Sequence, residues 1–220
     1  MSSLDIWKKV DDYFVDQLIP EDPIMSKVLQ ANEKANLPSI DVSATQGKLL
    51  HLFVKMKAAK NVLEIGTLGG YSSIWMAKAL PVDGHLTTLE FSPKHAEIAS
   101  ENMELAGVRD KIEIIIGPAA ESLPTLKGRE PFDFVFIDAD KNNNPRYVKE
   151  ALKLSKPGTT ILIDNVVRDG KVLEDKSNNP SIIGIREMFD LLNEHPHLDS
   201  TAFQTVGSKG YDGFVLAVVQ

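Results

Sequence analysis

The stretch NVLEIGTLGGYSS, Asn61 to Ser73, decides how the rest of the chain is read. A short apolar run ends at Gly66 in a glycine-rich turn, and a helical pattern begins near Ser72. A strand that passes through a glycine turn into a helix opens a βαβ unit. The same rhythm repeats downstream in HLTTLE (85–90), KIEIIIG (111–117), FDFVFID (132–138) and TTILIDN (159–165). Between these runs lie helical patterns at Ser72–Ala79, Pro93–Ala106, Ala119–Leu126 and Asn144–Leu154. The runs are continuously apolar rather than alternating, which predicts parallel strands buried on both faces. Strands alternating with helices predict right-handed crossovers in one sheet.

Outward from this centre, both ends of the chain differ. The first 60 residues read as helices: Leu4, Ile6–Trp7, Val10, Tyr13–Phe14 and Leu18 share one helical face, and Ile24–Ala35 and Ser43–Lys57 follow after Pro20 and Pro23. After a polar loop at 168–180 comes a helix over Ser181–Glu194, then STAFQTV and GFVLAVV. Only SKGYDG separates these last runs, too short for a crossover helix, so they pair as an antiparallel hairpin. The expected fold class is α/β, a doubly wound, Rossmann-like, mostly parallel seven-stranded sheet with an antiparallel C-terminal hairpin and extra N-terminal helices. The expected organisation is a single domain, with a helical cap at 1–58 and a core at 59–220.

Composition limits the partners. The formal charge is −7, there is no basic cluster to grip a phosphate backbone, and no apolar run approaches a membrane span. Neither nucleic acid nor a membrane is an expected partner. The N-terminus lacks a basic segment followed by an apolar run, and the absence of cysteine excludes disulfides and thiolate sites. Both agree with a cytoplasmic location.

Ligands of open parallel sheets bind beyond the carboxyl ends of the strands. Those ends carry Glu64-Ile65-Gly66, Glu90, Gly117-Pro118-Ala119, Asp138-Ala139-Asp140-Lys141 and Asp164-Asn165. Any one polar residue there is explained by helix capping; their recurrence at four of five ends points to a ligand. The turn at Gly66 departs from the dinucleotide pattern G-x-G-x-x-G, because Leu68 stands at its second glycine. Glu64 before the turn repels a pyrophosphate and suits an amine, while Glu90 stands where an acid holds two ribose hydroxyls. A ligand with a ribose, an amino group and no phosphate fits: S-adenosylmethionine. Asp138, Asp164 and Asn165 are hard oxygen donors at neighbouring strand tips and suit Mg²⁺, with Ca²⁺ or Mn²⁺ as alternatives.

The motifs VLEIGTLGGYSS, LTTLE, IIGPAAESLP, FDFVFIDADK and ILIDNVVRDGKV together resemble the cation-dependent class I O-methyltransferases, the group of caffeoyl-CoA and catechol O-methyltransferases. The resemblance runs from about Asp41 to YDGFVLAVV. It implies that Val42, Glu64, Gly66 and Ser72 hold the methionine end of the cofactor, Glu90 the ribose, and Ala119 the adenine pocket. It also implies that Asp138 and Asp140 reach the cofactor, that Asp138, Asp164 and Asn165 bind the metal, and that Lys141 is catalytic. A phenolic small molecule is the implied acceptor and a homodimer the implied assembly. Lys141 acts either as a general base or as a fixed charge beside the phenolate.

Two departures concern the acceptor side. Asn144 stands where relatives that act on phenylpropanoid thioesters carry tyrosine; it is expected to cap a helix that Pro145 begins. VVRDG replaces a tryptophan, and its Arg168 either meets an anionic acceptor or is an ordinary loop arginine. Trp7, Tyr13 and the loop 168–180 are expected near the acceptor. His195 and His197, in HPH after the last helix, are read as structural, and Met25, Met56, Met76, Met103 and Met188 as packing. An NAD(P)-dependent dehydrogenase and a non-catalytic cofactor-binding protein are the competing readings. Leu68 and Glu64 oppose the first, and the intact Asp138, Lys141, Asp164 and Asn165 oppose the second.

Overall fold

A computed structural model describes residues 2–220; Met1, in the expected cap, lies outside the described residues. The predicted strands form one seven-stranded sheet in the order β3-β2-β1-β4-β5-β7-β6. The strands are β1 (Asn61–Ile65), β2 (His85–Glu90), β3 (Ile112–Ile116), β4 (Phe132–Ile137), β5 (Ser155–Asp164), β6 (Leu198–Gly207) and β7 (Gly210–Val219). The first five are parallel; β7 runs antiparallel between β5 and β6. The order reverses between β1 and β4, which opens a crevice at their carboxyl ends.

Strand alternation divides the core into two layers. Leu63, Ile65, Val135, Ile137, Ile161 and Ile163 pack beneath α6 (Ala119–Thr125), α7 (Asn144–Lys153) and α8 (Pro180–Glu194). Val62, Leu86, Phe134, Phe136 and Leu162 face α2 (Pro23–Lys34), α3 (Ala44–Met56), α4 (Tyr71–Ala77) and α5 (Pro93–Leu105). Helix starts follow local chemistry: Asp22 and Ser92 cap α2 and α5 with proline in the first turn, and Ser43 caps α3. α1 (Ser3–Leu18) starts with a reciprocal capping box between Ser2 and Asp5.

α1 lies on β6 at the sheet edge, where Leu4, Ile6, Val10, Tyr13, Phe14 and Leu18 are between 42% and 71% exposed. Three expectations need correction. The last two strands are longer than their apolar runs, and only Ser208 and Lys209 connect them, since the Gly207–Gly210 pair closes the ladder. Met56 is not packing; it ends α3 and is 78% exposed, whereas the other four methionines are buried. Asn144 does not cap α7. Asn143 holds the cap position, and Asn144, fully buried, turns its amide toward Met188 of α8 at 3.7 Å.

Candidate active site

The crevice holds a cavity of about 930 Å³, near the upper end for small-molecule sites and large enough for two ligands side by side. Its walls include Val42, Gly66, Ser72, Glu90, Ala119, Asp138, Asp140, Lys141, Asp164 and Asn165, residues from the segment before α3, from α4 and from the ends of all five parallel strands.

The glycine turn is built by close backbone approach. Gly66 has φ +100°, and a Cβ there would lie 2.2 Å from the Asp138 carbonyl oxygen. Asp138 N donates to Ile65 O at 2.8 Å, so the tips of β1 and β4 are locked together. Leu68 occupies the left-handed region at φ 51°, which glycine was expected to fill in a dinucleotide turn. The turn is also held from the cap: the Asn102 amide donates to Gly69 O at 2.8 Å and to Asn32 Oδ1 at 2.9 Å, and the Asn32 amide donates to Asp41 Oδ1 at 2.9 Å. Asp41, in the cavity wall, has its pKa raised, chiefly by burial.

Glu64 reaches the cavity only through its neighbours. Its position beside Val62 turns it under α4, where it is fully buried and accepts from Ser72 at 2.6 Å, from Thr88 at 2.7 Å and from Ser73. Ser72 is the member of this group that lines the cavity. Burial raises the Glu64 pKa to about 7, against the three hydroxyl hydrogen bonds that favour the carboxylate. A carboxyl group whose folded pKa is raised stabilises the fold at low pH and loses that contribution as pH rises through the folded value. The cofactor-free protein is therefore expected to lose on the order of 3 kcal/mol between pH 5 and pH 8 from Glu64 alone. Glu64→Gln should flatten this fall in a series of thermal melts; an unchanged pH profile would refute the assignment.

Glu90 Oε2 accepts from Leu68 N at 2.8 Å and Thr67 N at 3.2 Å, and its Oε1 lies 3.2 Å from His95 Nδ1. At the tip of β4, Asp140 accepts from Asn143 and from the Tyr147 hydroxyl. Burial first, then the Asp140 charge, raises the Tyr147 pKa, so this phenol stays a donor. Lys141 is buried, with Nζ 2.7 Å from Asp138 Oδ1. The turn 141–143 that carries it packs on α8 at Gly184, where a Cβ would lie 2.5 Å from the Lys141 carbonyl oxygen.

Asp164 ends β5 almost fully buried. Its Oδ1 accepts from Asn165 N at 2.8 Å and its Oδ2 from the Gln46 amide at 2.6 Å. Burial, then the charge of Asp138, raises its pKa to about 7, while Lys141, the Asn165 N–H and Gln46 oppose the shift. Asn165 is left-handed at φ 56°. Two carboxylates close enough to perturb each other, one amide oxygen and no sulfur or imidazole form a hard donor set. Among the described residues no group of three or more His, Cys, Asp or Glu side chains is placed to hold a metal.

The sequence model of the O-methyltransferase family matches residues 16–217. The chain belongs to the O-methyltransferase family. A catechol O-methyltransferase of Mycobacterium tuberculosis is 48% identical over 96% of this chain and 95% of its own. An O-methyltransferase from Bacillus cereus, solved in complex with SAH, superposes with a TM-score of 0.97 at 53% identity, covering 99% of this chain and 100% of its own. TomG of Streptomyces achromogenes, an O-methyltransferase involved in tomaymycin synthesis and solved in complex with SAM, has a TM-score of 0.97 at 45% identity and covers 100% of both chains.

In this O-methyltransferase several wall residues carry no signal in the sequence. Gln46 sits 118 residues before its partner Asp164. Lys209 and Asp212 arrive from the β6–β7 hairpin, and Asp41 and Tyr71 from the cap side. Three acceptor expectations change: Trp7, Tyr13 and residues 169–180 stay outside the wall, because α1 lies beyond the sheet edge, and Arg168 is the part of that loop that lines it. Asn144 is also outside the wall, with its amide facing Met188 of α8. No described helix is long and apolar enough to cross a membrane.

Proposed function

We propose that this O-methyltransferase moves the methyl group of S-adenosylmethionine to a hydroxyl of a catechol-type phenol with the help of a divalent cation, Mg²⁺ first. The observation that carries the reading is the meeting of Asp138, Asp164 and Asn165 with buried Lys141 in one cleft shared with the glycine turn and Glu90. When bound, S-adenosylmethionine supplies an electrophilic methyl group, and a divalent cation at two aspartates and an amide supplies Lewis acidity that favours a phenolate.

The chain's own residues align, neutralise and exclude water. Gly66, Ser72 and Val42 shape the wall for the amino-acid end of the donor, and Glu90 offers its carboxylate to vicinal hydroxyls. Lys141, held against Asp138 in a buried position, sits where a phenol proton is lost and accepts it or balances the resulting charge. Alignment of donor and acceptor supplies several kcal/mol of the barrier. Buried and half-buried hydrogen bonds from Asn32, Asn102 and Gln46 hold the wall in place before ligands arrive.

The test is methyl transfer to a panel of catechols and monophenols with S-adenosylmethionine, with and without Mg²⁺ and EDTA. Transfer to catechols alone, abolished by EDTA, is expected; EDTA-resistant transfer to monophenols would overturn the catechol and metal parts. The exposed apolar face of α1, beside the exposed edge strand β6, supports a homodimer as the working form. Sedimentation at micromolar concentration should give a dimer; a monomer would reject it.

A further inference from the structure

Two cations line the β5–β7 end of the cleft, Arg168 and Lys209, and neither has a part in the chemistry above. We propose that the acceptor bears a carboxylate on or near its ring, and that these two side chains hold it, one from each of two loops. This rests on the catechol reading of the cleft and narrows its substrate class.

The first support is the way Arg168 is placed. Arg168, Asp169 and Gly170 are all left-handed, at φ 55°, 56° and 81°. Two non-glycine residues in that region are strained and persist only where the surroundings enforce them. Here Asp212 enforces them: its Oδ1 accepts from Val167 N and Arg168 N at 2.9 Å and from Gly213 N at 3.0 Å. Asp169 N donates to Tyr211 O at 3.2 Å. The arginine is thereby fixed to the hairpin at the rim of the cavity.

The second is what its guanidinium does. It stands 3.9 Å from Asp212 Oδ2, beyond hydrogen-bond distance, and its side chain is 43% exposed. Asp212 Oδ1 is engaged by backbone amides and its Oδ2 forms only a long ion pair with Arg168, so the planar fork can still make two-point contact with a carboxylate.

The third is Lys209, which belongs to a different loop. It occupies the two-residue tip of the hairpin, and the tip is tied to α1 by Ser208 N donating to Asp11 Oδ2 at 2.7 Å. Burial raises the pKa of Asp41, another wall residue; hydrogen bonds and, least, the Lys209 charge oppose that shift. The cleft is unevenly charged: Asp138, Asp140 and Asp164 outnumber Lys141 at the β4 and β5 tips, whereas Arg168 and Lys209 offset Asp212 and Asp41 at the rim. An acidic arm is repelled at the first end and held at the second, which orients the ring with its hydroxyls inward.

The test compares kcat/KM for 3,4-dihydroxybenzoate, 4-methylcatechol and dopamine, which carry a negative, neutral and positive substituent. The protein is wild type, Arg168→Gln, Lys209→Gln and the double variant, each at low and high salt. Wild type is expected to favour the anion over the neutral catechol by roughly tenfold, mainly through KM, and dopamine least. The double variant should remove most of that preference, and salt should weaken it in wild type. Equal kcat/KM for the three acceptors in wild type, or an equal loss on all three in the variants, would overturn the proposal. Methylation of none of them would overturn the catechol reading, and the proposal with it.

Discussion

Asp164→Ala is expected to lower Mg²⁺-supported methyl transfer by at least about a thousandfold while leaving S-adenosylmethionine binding largely intact. Asp164 is the cleaner of the two aspartates to change, because Asp138 also abuts the glycine turn through its backbone. In the folded chain Asp164 is buried, raised to about 7 by burial and by Asp138, and its oxygens are occupied by Gln46 and Asn165 N–H groups. Burying such a carboxylate beside another is unfavourable, Lys141 offsets this only in part, and a divalent ion would offset it further. Removal of the carboxylate should therefore abolish metal binding in calorimetry, yet raise or preserve the melting temperature of the metal-free protein. Methyl transfer by Asp164→Ala at near wild-type rate, insensitive to EDTA, would reject the metal site.

Gly66→Ala is the second large effect, and it acts on the fold and the site together. A Cβ at Gly66 would meet the Asp138 carbonyl oxygen at 2.2 Å, with the carbonyl carbon at 2.8 Å. The obstacle is backbone, so no side-chain rotation relieves it, and the φ of +100° adds strain of its own. Displacing Asp138 breaks its N–H bond to Ile65 and moves a residue of the cavity wall that is proposed to hold the cofactor and metal. A loss of more than about 4 kcal/mol in urea unfolding is expected, together with loss of S-adenosylmethionine binding. Gly107→Ala is the matched comparison: φ is +67° but nothing lies within 4 Å of the added Cβ, so a cost of about 1 kcal/mol is expected. Similar losses in both variants would show that the close approach at Gly66 is unimportant.

The five parallel strands were legible because most of their residues are buried, β1 and β4 on both faces, and so read as short, mainly apolar runs, even at the edge strand β3. The hairpin was legible because six residues cannot carry a crossover, although its strands proved longer than their apolar runs. Helix α1 was legible as a helix but not in its packing: periodicity reports that a face is apolar, not what covers it. Asn144 shows the same limit in reverse. A cap and a buried amide against Met188 look alike in a sequence where proline follows.

For the site, the residues themselves were set by position in the chain. Strand ends in an open α/β sheet converge at the switch point, so Glu90, Asp138, Lys141, Asp164 and Asn165 could be placed in one cleft from their order alone. Their surroundings were not legible there. Glu64 turns under α4 rather than into the cavity, because strand alternation and the hydroxyls of Ser72, Ser73 and Thr88 decide where its carboxylate is satisfied. Gln46 meets Asp164, Asn32 meets the glycine turn through Asn102, and Lys209 meets the cavity wall only because packing of the cap and the hairpin brings distant segments together. Local pattern and chain order thus determined the sheet and the chemical groups of the site. Hydrogen bonds between segments far apart in sequence, which no local period encodes, decided how those groups are held, charged and reached.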